Sequence, residues 1–258
     1  MMESEVMGNY HASFGERDGE TRTMRIVQVR AVPTLPRPLL ATLYLHDVCD
    51  LWAAPWRRRY ARGDVIIVRY CDDCIVGFQH KDDAEQFLSD LRARFHRFHL
   101  ALHPEKPRLM ECGRWASERR QRRGQGKPET FDFLGFTHIC SKTRTGKFTV
   151  RRKTSAKRLR KKLQEIKQSL RERMHWPIRQ LGAWLKSVLT GHYRYYGVPR
   201  NMGMLRVFRE GILRSWCQTL RRRSQRHRST WQRIYALATH WLPPPTSCIP
   251  IPRHVCAS

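Results

Sequence analysis

The chain is 258 residues long and strongly basic, with 50 Lys and Arg against 22 Asp and Glu, a formal net charge of +28 and a sequence pI near 10.8. Such a charge makes a polyanion the natural partner. No apolar run approaches the roughly 20 residues of a spanning helix, so we expect no membrane partner. The start, MMESE, does not resemble a signal peptide. We therefore expect a cytoplasmic protein whose eight cysteines are reduced thiols rather than a disulfide framework.

The positive charge is concentrated in the C-terminal part of the chain. Residues 151–258 hold 25 basic and 3 acidic residues, whereas residues 1–150 hold 25 and 19. The length allows one large or two small domains, and a hydrophobic content of 40% is enough for a core. The polyanion-binding surface is therefore predicted to belong mainly to the C-terminal part.

The first 150 residues predict a mixture of short strands and helices. Residues 1–38 contain GNYHASFGERDGETRT and VPTLPRP, show no sustained period, and predict an irregular arm. Two helices follow where apolar residues recur at helical spacing, over residues 39–56 and 81–98. The remaining elements are two hairpins and their connections: strands in residues 65–78, a turn and short strand in 100–110, an arginine-rich loop in 113–127, and strands in 131–136 and 147–150.

Beyond residue 151 the pattern becomes helical. Pro, Gly or polar runs separate four segments, which predict helices over residues 154–173, 178–196, 202–223 and 229–242. A proline-rich tail, residues 243–258, is predicted to be extended. The fold class predicted from these elements is α+β, with a sheet-containing part at residues 39–150 followed by an all-α part at 151–242.

The stretch VIIVRYCDDCIVGF, residues 65–78, places two aspartates between two strand signals. Asp72 and Asp73 repel one another in an apolar setting, so they require full solvation or a cation. Mg²⁺ binds carboxylate oxygens together with substrate phosphates, and a pair of such ions would support nucleotidyl transfer. A solvated turn without function is one alternative. A zinc knuckle through Cys71 and Cys74 is another, although the remaining cysteines do not form an obvious second pair.

Two basic runs, RRKTSAKRLRKK and RRRSQRHR, combine with aromatic residues in the helical part. Cations interleaved with possible stacking surfaces are typical of RNA-binding proteins, although a charged run is also compatible with a solvated helix face. We predict that Trp184 packs inside. The candidate RNA-binding residues are Arg151, Arg152, Lys153, Lys157, Arg158, Lys161, Lys162, His192, Arg194, Tyr196, Arg200, Arg221, Arg222 and Arg223.

Several ordered motifs resemble the reverse transcriptase/maturases encoded by bacterial group II introns. PLLATLYLH followed by DLW, then RYCDD, LHPEKPRL and FDFLGFTHI, are similar to consecutive reverse-transcriptase blocks, and GHYRYYGVP is similar to the thumb-linked maturase domain X. The resemblance covers residues 38–245. It implies a partial reverse-transcriptase palm at residues 39–150, followed by a helical thumb and maturase domain.

The resemblance also implies roles for individual residues. Asp72 and Asp73 match the catalytic, metal-binding aspartates that use Mg²⁺. Lys106 matches a family-typical position with an expected RNA contact. The implied partner is group II intron RNA, with a DNA target or an RNA–DNA hybrid as further partners. Five residues match the floor of the active site and the support of the primer strand: Tyr70, Cys71, Leu134, Gly135 and Phe136. For Leu134 and Phe136, packing within the hairpin is the alternative role.

Two departures weaken the expectation of DNA synthesis. No strand signal before Asp72 ends in the further catalytic aspartate that the family carries, and VPTLPR stands where a P-Q-G motif is expected. Cys71 stands where the family usually has Ala, which is a small, apolar-like change that adds an oxidation liability. The two-metal site is therefore expected to be incomplete and the chain to be an N-terminally truncated family member that does not polymerise alone.

Three functions stay open at this point. The chain is a fragment of an RNA-directed DNA polymerase that depends on another polypeptide, a non-catalytic intron RNA-binding module that assists splicing, or the product of a degraded intron reading frame. No H-N-H endonuclease motif follows the helices, so target-DNA cleavage is not expected.

Overall fold

A computed structural model describes residues 24–32, 38–102, 108–113, 115–143, 145–223 and 231–246. The described residues form two compact units. The sheet unit comprises residues 24–133 and 139–150, and the helical unit comprises residues 134–138 and 151–246. Helices and antiparallel strands occur together, so the predicted α+β class is confirmed.

The elements follow the order predicted from the sequence, with two additions in segments predicted to be irregular. Two strands replace the single strand predicted in residues 100–110, and three strands replace the two predicted in residues 131–150. Up to residue 154 the elements are β1 Met24–Val32, α1 Pro38–Leu45, a π-helical turn His46–Asp50, α2 Leu51–Tyr60, β2 Val65–Tyr70, β3 Asp73–Phe78, α3 Lys81–Arg97, β4 Ala101–Leu102, β5 Arg108–Cys112, α4 Ala116–Arg122, β6 Phe131–Phe133, β7 Phe136–Lys142 and β8 Phe148–Thr154. Four helices follow: α5 Ala156–Glu172, α6 Ile178–Tyr196, α7 Met202–Arg222 and α8 Trp231–Trp241.

The first addition is β1, and it corrects the prediction of an irregular arm for residues 24–32. The five-stranded sheet has the order β2-β3-β1-β4, with β5 also paired to β1. One edge of β1 therefore pairs with β3, and the other pairs with β5 and β4. Ile26, Val27 and Val29 are buried, and the burial of these apolar side chains stabilises the strand within the sheet. Residues 1–23 and 33–37 of the predicted arm lie outside the described residues.

The second addition is α4, which corrects the prediction of a loop over residues 113–127. The helix is polar almost throughout, and Ala116 is its only buried residue, so it carries little hydrophobic periodicity. A salt bridge at 3.2 Å joins Arg123, just past α4, to Glu111 of β5. Glu111 is 5% exposed and also contacts Arg25 of β1 at 2.9 Å, so the ion pairs tie this segment to the sheet.

A disulfide between Cys112 and Cys140 corrects the prediction that all cysteines are reduced. The two residues lie 28 positions apart and their Cα atoms are 6.2 Å apart, within the range that a disulfide bridges. β5 and β7 supply one cysteine each, so the pairing depends on tertiary structure. Cys49, Cys71, Cys74 and Cys217 are free thiols.

The core of the sheet unit lies between the sheet and its helices. The apolar face of α3 contributes Ala84, Phe87, Leu91 and Phe95, all buried. Trp56 of α2 packs edge-on against Phe87, with ring centroids 4.9 Å apart. Its indole N–H donates a 2.7 Å hydrogen bond to the carboxylate of Asp90, which satisfies the polar end of the ring.

The helical unit has its own core, to which α5, α6, α7 and α8 all contribute. Two glycines allow its helices to approach closely. A Cβ at Gly182 of α6 would lie 2.4 Å from the ring of Trp241 on α8, and one at Gly211 of α7 would lie 2.9 Å from Leu163 of α5. Among the described residues, no helix is long and apolar enough to cross a membrane.

Candidate active site and nucleic-acid interface

The paired aspartates lie at the tip of the β2–β3 hairpin, as the sequence predicted. Asp72 is a turn residue and Asp73 begins β3, opposite Tyr70 in the strand register. Tyr70 is 46% exposed and Cys71 is exposed as well. Cys71 has a φ of 51°, a left-handed conformation that glycine or asparagine adopts more readily than cysteine.

Arg69 holds this tip against the helical segment before β2. Its Nε donates to Oδ1 of Asp50 at 2.8 Å, and its Nη1 donates to the Cys71 carbonyl at 3.0 Å. Burial opposes ionisation of Asp50, but the hydrogen bonds from Arg69 and His46 outweigh it and lower the pKa of that carboxyl group. Asp50 is therefore an ionised anchor for the tip, already engaged by Arg69.

The strand beside the hairpin brings no further carboxylate to this site. β1 pairs with β3 so that Arg30 is the register partner of Asp73. The β1 sequence, MRIVQVRAV, contains neither Asp nor Glu. Among the described residues, no group of three or more His, Cys, Asp or Glu could hold a metal ion. The donor set near Asp72 and Asp73 therefore does not fit the two-metal centre that the resemblance implies.

Residues 134–136, predicted to support a primer, belong to the helical unit rather than to the sheet unit that carries Asp72 and Asp73. Phe136 is 2% exposed, and its ring is nearly parallel to that of Tyr195 at 6.0 Å. Tyr195 donates a 2.9 Å hydrogen bond from its hydroxyl to the Leu134 carbonyl. Gly135 has a φ of 81°, and a Cβ there would lie 2.8 Å from the Tyr196 hydroxyl. These contacts give the segment a packing role within the helical unit, and its predicted contact with a primer stays a prediction.

The candidate RNA-binding residues fall into exposed and packed groups. Arg152 is only 8% exposed, and burial lowers its pKa to about 10. This corrects the expectation that Arg152 offers a surface cation. Lys153 is half-buried, and Lys106 lies outside the described residues. The exposed members of the set are Arg151, Lys157, Arg158, Lys161, Lys162, Arg194, Arg200, Arg221 and Arg222.

His192 and Tyr196 pack into the helical unit more than the sequence predicted. The His192 ring stacks on Phe208 with centroids 3.7 Å apart and contacts Tyr196 at 4.5 Å. Burial, assisted by the charge of Lys162, lowers the pKa of His192 to about 4. The imidazole is therefore neutral near pH 7 and contributes packing rather than positive charge. Trp184 packs against the core but is only half-buried, so the prediction that it packs inside is confirmed in part.

Three features escaped the sequence analysis. Asp50 was assigned only to a helix, and nothing in the sequence indicates that Arg69 binds it. Asn201 is fully buried and hydrogen-bonds three groups on two other elements. Arg173 lies between two tryptophan rings. The sequence offers a signal only for the third feature, because Arg173 lies near Trp176 and Trp184 along the chain.

Residues 37–138, which hold the Asp–Asp hairpin and most of the antiparallel sheet with its packed helices, match the family model described as reverse transcriptase (RNA-dependent DNA polymerase). The match includes the hairpin and extends to the first residues of β7. No curated protein matches the chain.

Proposed function

We propose that this chain is an RNA-binding protein of the group II intron reverse transcriptase/maturase type. In this proposal the helical unit binds structured intron RNA, and the sheet unit keeps the palm framework without polymerising DNA by itself. The observation that carries the proposal is the exposed basic face of α5. The resemblance supplies the identity of the RNA, and the reverse transcriptase match supplies the general association with nucleic acid.

Helix α5 presents an unusual density of positive charge. It carries two acidic residues, Glu165 and Glu172, and a 17-residue helix extends about 25 Å. Lys162 pairs with Glu165 at 3.2 Å, which neutralises only a small part of the charge. Phosphates are the simplest counterions for such a face, because they replace the repulsion between neighbouring cations by attraction. The exposed cations are Lys157, Arg158, Arg160, Lys161, Lys162, Lys167 and Arg171.

The packing of α5 argues against the membrane surface as the alternative polyanion. A helix that lies in a bilayer interface inserts a free apolar face among the lipids. On α5 that face is already occupied, because Leu159, Ile166 and Leu170 are buried at 6%, 3% and 0% exposure in the core of the helical unit. The cations are thus displayed by a packed helix, as a nucleic-acid-binding surface requires.

RNA-directed DNA synthesis is the second candidate, and the Asp–Asp hairpin with the reverse transcriptase match favours it. Reverse transcriptases use Mg²⁺, and here Asp72 and Asp73 would supply its carboxylate ligands. Among the described residues no third carboxylate joins them, so these two aspartates alone do not complete a two-metal centre. Synthesis by this chain would need a further acidic residue from another polypeptide or from residues outside those described.

The test is fluorescence anisotropy with a structured group II intron RNA domain, compared with a random RNA of equal length over a series of salt concentrations. The triple variant Lys157→Gln, Lys161→Gln, Lys167→Gln removes three charges from α5. The matched control, Arg57→Gln, Arg58→Gln, Arg59→Gln, removes three exposed charges from α2. Both variants have the same net charge.

We expect the α5 variant to bind intron RNA more weakly, with a slope of log K against log salt that is smaller by about 2 to 3 than in the parent. The control variant should bind close to the parent. Equal losses in the two variants would show that only net charge matters and would refute the assignment to α5. Equal affinity of the parent for intron and random RNA would refute a maturase-type role.

A further inference from the structure

Two arginines converge on one exposed tryptophan where α5 ends and α6 begins. Arg173 directly follows α5, and its guanidinium carbon lies 5.2 Å from the ring centroid of Trp176 and 4.8 Å from that of Trp184. Arg223 directly follows α7, and its Nη2 donates a 2.7 Å hydrogen bond to the Trp176 carbonyl. The chain ends of three helices therefore meet at Trp176.

These arginines have donors that the described protein does not satisfy. Nη1 of Arg173 and Nε of Arg223 are buried and have no hydrogen-bond partner among the described residues. Burial also lowers the pKa of Arg223, which means that its charge is poorly solvated. An anionic ligand beside these side chains would supply acceptors and counter-charge that the described residues do not. Phosphate suits this role because arginine donors match its geometry.

Trp176 adds a second type of recognition to the cluster. Its side chain is 43% exposed, whereas Trp184 is half-buried against the core of the helical unit. Trp184 therefore anchors Arg173, and Arg173 in turn contacts the exposed indole of Trp176. An exposed indole offers a surface on which a nucleobase can stack.

The surroundings favour RNA over other phosphate-bearing partners. Arg171 on α5 and Arg221 and Arg222 on α7 are exposed close to the cluster in sequence, so the basic face of α5 leads directly to Trp176. An RNA whose phosphates contact these cations would place one of its nucleotides beside the Trp176 indole. Bases inside a duplex stack on their neighbours, so an unpaired base is the one most free to stack on a protein side chain.

We propose that Trp176, Arg173 and Arg223 form a binding site for an unpaired nucleotide of RNA. The base stacks on the Trp176 indole, and the adjoining phosphate accepts hydrogen bonds from the two arginines. This inference rests on the proposed RNA binding by the helical unit and adds to it a preference for single-stranded segments next to duplex.

The experiment compares two labelled RNAs, a short blunt duplex and the same duplex extended by a single-stranded adenosine tail. The variant Trp176→Leu removes the stacking surface but keeps an apolar side chain. Trp115→Leu is the matched control, because Trp115 is 44% exposed and belongs to the sheet unit. Circular dichroism spectra and unfolding curves establish that both variants fold.

We expect Trp176→Leu to lose at least about fivefold in affinity for the tailed RNA and to bind the blunt duplex like the parent. Trp115→Leu should bind both RNAs like the parent. A second variant, Arg223→Gln, should reduce the salt slope for the tailed RNA by about one.

An unchanged affinity of Trp176→Leu for the tailed RNA, or an equal loss for both RNAs, would overturn the unpaired-nucleotide site while leaving RNA binding by α5 intact. A parent chain that binds neither RNA would refute the proposed function and this inference together. The two failures are thus distinguishable.

Discussion

Asn201 holds three elements of the helical unit together through one buried side chain. Its Oδ1 accepts the Thr154 backbone N–H at 3.0 Å, and its Nδ2 donates to the Thr154 hydroxyl at 2.9 Å and to the Tyr196 carbonyl at 2.8 Å. Asn201 is 0% exposed and precedes α7, whereas Thr154 ends β8 and Tyr196 ends α6. The loss of this side chain therefore acts on all three elements.

We expect Asn201→Ala to lower the free energy of unfolding of the helical unit by about 3 kcal/mol. Three neutral hydrogen bonds contribute about 1 kcal/mol each, and the Thr154 N–H left buried without a partner sets a range of about 2 to 5 kcal/mol. The measurement is urea unfolding followed by tryptophan fluorescence and circular dichroism.

Thr154→Val is the control for this prediction, because it removes only the hydroxyl that accepts one of the three bonds. Its expected cost is about 1 kcal/mol. The double variant then gives the coupling between the two side chains. A cost of Asn201→Ala below about 1 kcal/mol, or one no larger than that of Thr154→Val, would refute the role of Asn201 as a buried junction.

Three further outcomes follow from the packing, burial and carboxylates described above. Gly182→Ala should cost about 1 to 3 kcal/mol because its Cβ collides with Trp241, whereas Gly191→Ala on the same helix meets no atom within 4 Å and should be neutral or slightly stabilising in urea unfolding. The folded-state pKa of His192 is lowered from 6.5 to about 4, so the unfolded chain binds its proton first. Stability measured by urea unfolding should therefore fall as the pH is lowered from about 6.5 towards 4, and His192→Phe should weaken that dependence. Primer extension on an RNA template with Mg²⁺ should give no product with the parent or with the Asp72→Ala, Asp73→Ala variant; a product made only by the parent would contradict the inactive assignment.

The sequence was sufficient where structure depends on local patterns. The β2–β3 hairpin follows from two apolar runs around Asp72 and Asp73, and α6 has the same bounds as predicted because its apolar residues recur at helical spacing. The helices after residue 155 are predicted in the same way. In the hairpin and in these helices, the spacing of the apolar residues is sufficient to indicate the type of secondary structure.

Features that depend on distant partners were not predictable in this way. β1 alternates apolar and polar residues only in part, its partners β3 and β5 lie far along the chain, and Arg25 is stabilised by Glu111. The Cys112–Cys140 disulfide likewise joins two single cysteines that form no spacing motif. The hydrogen bond from Arg223 to the Trp176 carbonyl requires the end of α7 to meet the segment between α5 and α6. The hydrophobic pattern of one segment does not indicate which distant segments it will contact.

The position of β1 has a consequence for the order in which the sheet unit assembles. β1 is synthesised before the other described strands of its sheet, yet Gln28 pairs with Ile75 on one side and with Arg108 on the other. The β2–β3 hairpin closes a short loop and can form as soon as it leaves the ribosome, whereas β1 gains its second neighbour only after β5 has emerged. Since long-range pairings slow folding, the docking of β1 between β3 and β5 is expected to limit the rate at which this unit reaches its native state.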